Sequence, residues 1–300
     1  MSRVFVLNDG CKMPLIGYGP GIVPANLYKV ACCPVLLKRG INFLLYRPLQ
    51  TRKYVSIIAS VFKNDGYYLD YSFTYSNYAI IKKAIAKVGR QNMFVSSRVS
   101  NQAQRNGCVR EEVLNGLNAW GIEQLDLLEF HWPVADCYQQ TWLEMEQLQR
   151  EGYVKSIGVA NCHIHHLEQI LRVGTVVPAI NQIEMHPLFT QKELLAYCKE
   201  HDILIQAYTA IARFDDRLVR LPLMKKICNK YNKTLVQVVL KWHLQNGVSP
   251  VIRSWNKKRI GENINVFDFE LTEQEMATID GININSRLRY DPDNCDFSIL

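Results

Sequence analysis

A carboxylate and a phenol five residues apart, Asp70 and Tyr75, stand in the stretch GYYLDYSFTYS at 66–76, where a short aromatic and aliphatic run gives way to a loop. An acid and a phenol at the end of a strand are positioned by the strand yet open to a ligand, an arrangement that suits proton transfer. A free tyrosine titrates near pH ~10, so it exchanges protons at neutral pH only where a cation and a second donor stabilise its anion. Candidates for both follow other strand-like runs: Arg98 after MFVSS and His131 after LDLLEF. The Asp-x4-Tyr spacing alone describes many incidental loop pairs. It gains weight by recurring in step with the other strand ends.

The elements that would hold these groups alternate. Residues 3–15 read as a hairpin around an Asn-Asp-Gly turn, and Ile16–Gly19 reads as a first strand. Helices are expected over Tyr54–Asn64, Asn77–Val88, Arg110–Trp120, Tyr138–Arg150, Ile164–Arg172, Gln191–His201 and Thr234–Gln245, with Arg259–Val266 as the last. Strands are expected over Tyr67–Asp70, Met93–Ser97, Leu125–Phe130, Val154–Val159, Ala179–Ile183, Ile203–Ala207 and Val248–Ile252. Eight alternations without a composition break, and without a G-x-G-x-x-G turn after the first strand, favour a closed (β/α)8 TIM barrel over an open doubly wound sheet. In such a barrel the residues just after each strand share one face, where function is built. Those positions hold Gly19, Asp70 with Tyr75, Arg98, His131-Trp132, Asn161, Gln182, Tyr208 and Arg253-Ser254.

At 300 residues, 48% hydrophobic and 21% charged, the chain is expected to form a single domain over 1–300. No apolar run reaches the ~18–20 residues of a membrane span, and MSRVFVLNDG lacks the features of a secretory signal, so a cytoplasmic location is expected. The nine cysteines are odd in number and none has C-x-x-C spacing, which indicates neither a disulfide framework nor a zinc ribbon. The formal charge of +7 is concentrated: Lys29, Lys38, Arg39, Arg47, Arg52 and Lys53 fall within 20–53, where there is no acid. Cys162, His163, His165 and His166 are read as an exposed helix start rather than a metal site, because no matching ligands follow later strands, so no metal is expected.

Taken together, the chain resembles the aldo-keto reductases. The motifs run from the NDG hairpin with KMP, through Asp70-x4-Tyr75, FHWP at 130–133, GVAN at 158–161, NQIEMHP at 181–187 and QAY at 206–208. They continue through IRSWNKKRIGEN at 252–263 and VFDFELTEQEM at 266–276 to RYDPD at 289–293. The resemblance implies an NADPH-dependent carbonyl reductase with Tyr75 as general acid, His131 holding the carbonyl oxygen and Asp70 pairing with the cation that tunes Tyr75. It implies that Asn161 and Gln182 bind the nicotinamide carboxamide and that Tyr208 stacks on its ring. Gly19 would admit the cofactor to the backbone, Arg253, Ser254 and Arg259 would hold the adenosine 2′-phosphate, and Glu262 and Asn263 the adenine. Trp132 is expected in the substrate wall. A small carbonyl substrate, no nucleic-acid partner and a monomer complete the implication.

Two departures stand out. The tuning cation is normally lysine, and here the matching residue is Arg98. Arginine keeps the charge, but its planar fork favours the carboxylate. A slower enzyme biased toward carbonyl reduction is therefore expected, with an NADP(H)-binding protein of little turnover, a pseudoenzyme or redox-sensing scaffold, as the alternative. The other departure is the atypical basic insertion at 20–52, after the first barrel strand, expected to hold one or two short helices and a loop. It is open to three readings: a lid for an anionic substrate, a membrane-surface patch, the least favoured of the three, or a solvated face.

Overall fold

The computed structural model describes residues 3–21, 47–63, 66–75 and 78–295. Its chain order begins with β1 (Val4–Val6), β2 (Lys12–Pro14), β3 (Ile16–Tyr18), α1 (Arg47–Val61), β4 (Tyr67–Asp70), α2 (Tyr78–Val88) and β5 (Val95–Val99). Next come α3 (Asn101–Asn106), α4 (Val109–Trp120), β6 (Leu125–Phe130), α5 (Tyr138–Arg150), β7 (Val154–Ala160), α6 (Ile164–Val173), β8 (Ile180–Glu184) and α7 (Lys192–Glu200). The remainder is β9 (Leu204–Tyr208), α8 (Asp216–Val219), α9 (Pro222–Tyr231), α10 (Leu235–Gln245), β10 (Ser249–Ile252), α11 (Lys257–Asn263) and α12 (Glu273–Asp280).

Strands β3 to β10 close into a parallel barrel in chain order, with β10 pairing back onto β3. Short apolar strands buried on both faces need helices outside them, and the α elements supply that outer layer. This is the (β/α)8 barrel expected from the alternation. The β1–β2 hairpin turns at Gly10, whose φ of 84° a side chain rarely adopts. It carries Leu7 and Met13 into a small cluster with Tyr68, Phe94, Leu127 and Ile180, and so plugs the end of the barrel away from the site. Burying each such aliphatic side chain contributes roughly 1.5–3 kcal/mol. Gly17 is required there: a Cβ would stand 2.7 Å from the Tyr68 ring.

Several elements differ from the expectation, and helices α9 and α12 were not expected. Helix α1 begins at Arg47 rather than Tyr54, because Pro48 falls in a first turn, where a missing N–H costs nothing. Helix α9 likewise starts on a proline, and α12 starts on the Thr272 capping box, beyond the helix expected to be last. That helix, α11, spans Lys257–Asn263, because the Asn256 side chain accepts from the Lys258 and Arg259 amides and fixes its start. Strand β5 runs on to Val99, so Arg98 belongs to the strand rather than following it. Most of the 20–52 segment, residues 22–46, lies outside the described residues. Among the described residues no helix is long and apolar enough to cross a membrane.

Candidate active site

The loop that carries Tyr75 is held by its neighbours in sequence. Phe73 lies against Trp120, ring centroids 4.6 Å apart, and over Gly116, where a Cβ would come within 2.2 Å of the ring. The Phe73 amide donates to Ser97 Oγ at 3.0 Å, and the Tyr75 amide donates to the Ser72 carbonyl at 3.1 Å. Tyr71 meets the Tyr75 ring edge-on at 5.1 Å. The aromatic residues of YSFTY thus anchor a tight turn, and Tyr75 lines a cavity of about 390 Å³ together with Asp70, Arg98, Gly19, Tyr208 and Arg253.

Arg98 is the hub of the floor. Its Nη2 donates to Asp70 Oδ1 and to Gln182 Oε1, the latter at 2.6 Å, while its Nε faces Glu129 Oε2 at 3.2 Å. Asp70 also accepts from Ser96 Oγ at 3.3 Å. All four partners of this network are buried. Burial opposes the guanidinium charge, but the carboxylates of Asp70 and Glu129 outweigh it and hold Arg98 protonated. Glu129 fares differently. Burial pushes its carboxyl up to about 8 even with the guanidinium beside it, because that single positive charge is shared with Asp70.

Beside this hub, the Asn161 amide donates to the His131 carbonyl at 2.9 Å and its Oδ1 accepts from the Tyr208 hydroxyl at 2.6 Å. Asn161 sits at φ 61°, a left-handed conformation that asparagine tolerates and that turns its amide back across the strand end. Gln182 donates to Gln206 Oε1 at 2.9 Å. Burial, reinforced by the charges of Arg98 and Arg289, lowers His131 to about 3, so its ring is neutral and offers an N–H donor across the physiological range. Burial also raises the Tyr208 phenol well above its ordinary value. Trp132 is buried, with its carbonyl accepting from Gln104 at 3.0 Å.

The cavity opens toward the end of β10. Gly19 donates to the Ile252 carbonyl at 2.9 Å, and a Cβ on Gly21, at φ 64°, would stand 3.2 Å from Arg253. Tyr18 donates to the Ser254 carbonyl at 2.9 Å, tying the first barrel strand to the turn after the last. Past it Lys257, Lys258 and Arg259 are exposed, and Glu262 faces Lys258 at 3.7 Å, with Asn263 closing the helix. A buried polar floor and a cationic rim could hold a long ligand with a phosphate at its far end. A larger cleft of about 690 Å³, around Lys12, Phe62, Lys63 and Asp126, lies at the opposite end of the barrel. Strand C-terminal ends, not that end, carry the chemistry in barrels.

Two contributors were not singled out from the sequence. Glu129 sits inside the strand run LDLLEF, where an acid flanked by apolar residues was the available signal. Arg289 is placed by Glu184, whose buried carboxylate accepts from the Leu288 and Arg289 amides at 2.7 and 2.9 Å. The loop after β9 adds Ile211, Arg213 and Phe214 to the cavity wall.

Residues 40–284 match the model of the aldo/keto reductase family. The chain is 34% identical to the glyoxal reductase of Bacillus subtilis (strain 168) over 292 residues, 97% of this chain and 96% of the relative. It is 36% identical to the methylglyoxal reductase DkgA of Escherichia coli (strain K12) over 234 residues, 75% and 82% of the two chains. The crystal structure of apo Gox0644 superimposes with a TM-score of 0.84 at 27% identity, covering 99% of both chains. With a barrel of this topology and this family match, the chain belongs to the aldo/keto reductase family.

Proposed function

We propose that the protein is an NADPH-dependent carbonyl reductase in which Tyr75 is the general acid. The observation that carries the reading is the placement of Tyr75 on one cavity with an Arg98 guanidinium held by Asp70. When bound, NADPH supplies the hydride to the carbonyl carbon. Tyr75 gives its phenolic proton to the carbonyl oxygen as charge builds there, and the fixed positive charge of Arg98 favours the phenolate left behind. His131, neutral, donates an N–H toward the same oxygen. Asp70 holds Arg98 in place and Glu129 braces its other edge.

Asn161, Gln182 and Tyr208 would hold the nicotinamide end, with Gly19 leaving room beside it. Arg253, Ser254 and Arg259 would hold the 2′-phosphate, and Glu262 and Asn263 the adenine. The chemistry of the residues suits such a group: one cavity joins Asp70 and Tyr208 to Gly19 and Arg253, and the exposed cations Lys257, Lys258 and Arg259 follow Arg253 closely in the chain. Because Arg98 reaches Gln182 as well as Asp70, the guanidinium faces the cofactor's amide-binding groups as well as the phenol. This supports slower turnover biased toward reduction, since oxidation needs the phenolate at the outset. The relatives named as glyoxal and methylglyoxal reductases favour small aldehydes and dicarbonyls as substrates and disfavour a protein that binds without turnover.

Tyr75→Phe is expected to abolish aldehyde-dependent NADPH oxidation while NADPH still quenches the tryptophan fluorescence; retained turnover in that variant overturns the reading. Arg98→Lys is expected to raise turnover and to narrow the gap between reduction and alcohol oxidation.

A further inference from the structure

We propose that His163, His165, His166 and Asp293 form a site for a divalent transition metal of the zinc, nickel or cobalt class, which staples the C-terminal segment to helix α6. The histidines alone read as an exposed helix start, because the ligand that completes them lies 130 residues later in the chain. In the fold Asp293 meets all three rings. Its Oδ2 is 2.7 Å from His163 Nδ1, and its Oδ1 is 3.2 Å from His165 Nε2 and 3.5 Å from His166 Nε2. The four ligand atoms lie within 4.8 Å of one another.

Four donors around a tetrahedral ion at ~2.1 Å stand roughly 3.4 Å apart, so the contacts to Asp293 are already near the needed separation. Closing a gap of up to 4.8 Å takes at most about 1.4 Å. The rings of His163 and His165 are not sealed in the core and can turn by that much. Three imidazoles and one carboxylate select zinc, nickel, cobalt or copper over magnesium or calcium, which demand oxygen. The rings of His165 and His166, 3.9 Å apart, both aim a nitrogen at the same carboxylate oxygen, a crowding of donors that one shared cation resolves.

The existing hydrogen bonds grade the ligands. His163 Nε2 accepts from Arg287 at 3.2 Å, which puts the ring proton on Nδ1, facing Asp293. Metal binding moves that proton to Nε2 and releases Arg287, which has Asp291 3.8 Å away to turn toward. His166 Nδ1 accepts the His163 amide at 3.1 Å, so its Nε2 carries the hydrogen and it is the weakest ligand. His165 has no such competing bond among the described residues. It and Asp293 are the anchors, with His163 third and water completing the shell where His166 does not.

The test uses the full chain with any affinity tag removed and EDTA-stripped, titrated with Zn²⁺, Ni²⁺ and Co²⁺ by calorimetry, with Mg²⁺ as control. One-to-one binding is expected, with the intense visible bands of low-symmetry Co²⁺. Both His165→Ala and Asp293→Asn should weaken it on the order of 10–100-fold. Metal should also slow tryptic cleavage after Arg287 and Arg289 in the parent but not in Asp293→Asn, whose shape is conserved. Mg²⁺ should do neither. No binding, binding spread over several weak sites, or affinity unchanged in both variants overturns the proposal. None of these readouts uses reductase activity, so they stand or fall apart from the function proposed above.

Discussion

Two glutamates show how burial decides nothing by itself. Glu146 on α5 and Glu129 on β6 are both buried, yet they sit in opposite states. Glu146 accepts from the Thr175 and Val176 amides at 2.6 and 2.8 Å and from Thr175 Oγ1 at 3.0 Å. Burial would raise its carboxyl, but those three donors together with Arg150 bring it below the ordinary range. Glu129 has one partner, a guanidinium already committed to Asp70, and is pushed up to about 8. The first is a structural clasp that ties the α6–β8 connection to a helix of the outer layer. The second is a poised group at the centre of the barrel. The lesson is that donor count, together with how completely a carboxyl is desolvated, separates one that holds the fold from one that serves the site.

The largest test of that contrast is Glu146→Ala. Two backbone amides lose a charged acceptor, so stability should fall by about 2–4 kcal/mol in urea unfolding while turnover per folded molecule is unchanged. An unchanged unfolding midpoint would break the comparison at its stronger end. Glu129→Leu should behave oppositely. Arg98 keeps Asp70, so no buried charge is orphaned, and stability should stay within about 1 kcal/mol of the parent or rise. Turnover should drop on the order of tenfold, because the guanidinium keeps only one of its two carboxylate anchors. The smallest effect is a pH slope. Between the unfolded value of 4.5 and the folded value of about 8, the folded chain keeps a proton on Glu129 that the unfolded chain has released. Stability from this group therefore declines as pH rises through that window and levels off above it. The slope should reach at most about 1.4 kcal/mol per pH unit and be absent in Glu129→Leu; a slope that persists in the variant assigns it elsewhere.

What the sequence made legible was whatever repeats or is local. The barrel followed from alternation, and the strand ends followed from the barrel, which is why Asp70, Tyr75, Asn161, Gln182 and Tyr208 were found together. Gln182 and Tyr208 belong to strands far from Tyr75 in the chain, and only closure brings them to one mouth. Local chemistry misled at proline: Pro48, expected to interrupt the 20–52 segment, falls in the first turn of a helix, and the helix that Pro222 starts was not expected. Partners that meet across the barrel stayed hidden. Nothing in LDLLEF says that Glu129 faces Arg98, and nothing near the histidines at 163–166 announces Asp293. Both depend on register and tail placement, which no short window encodes.

The grip of Glu184 on Leu288 and Arg289 means that the end of the chain is wired into the interior of the barrel. A protease nick before residue 287 would leave a buried carboxyl group with two donors fewer. Cleavage there would thus be felt inside the barrel as well as at its surface.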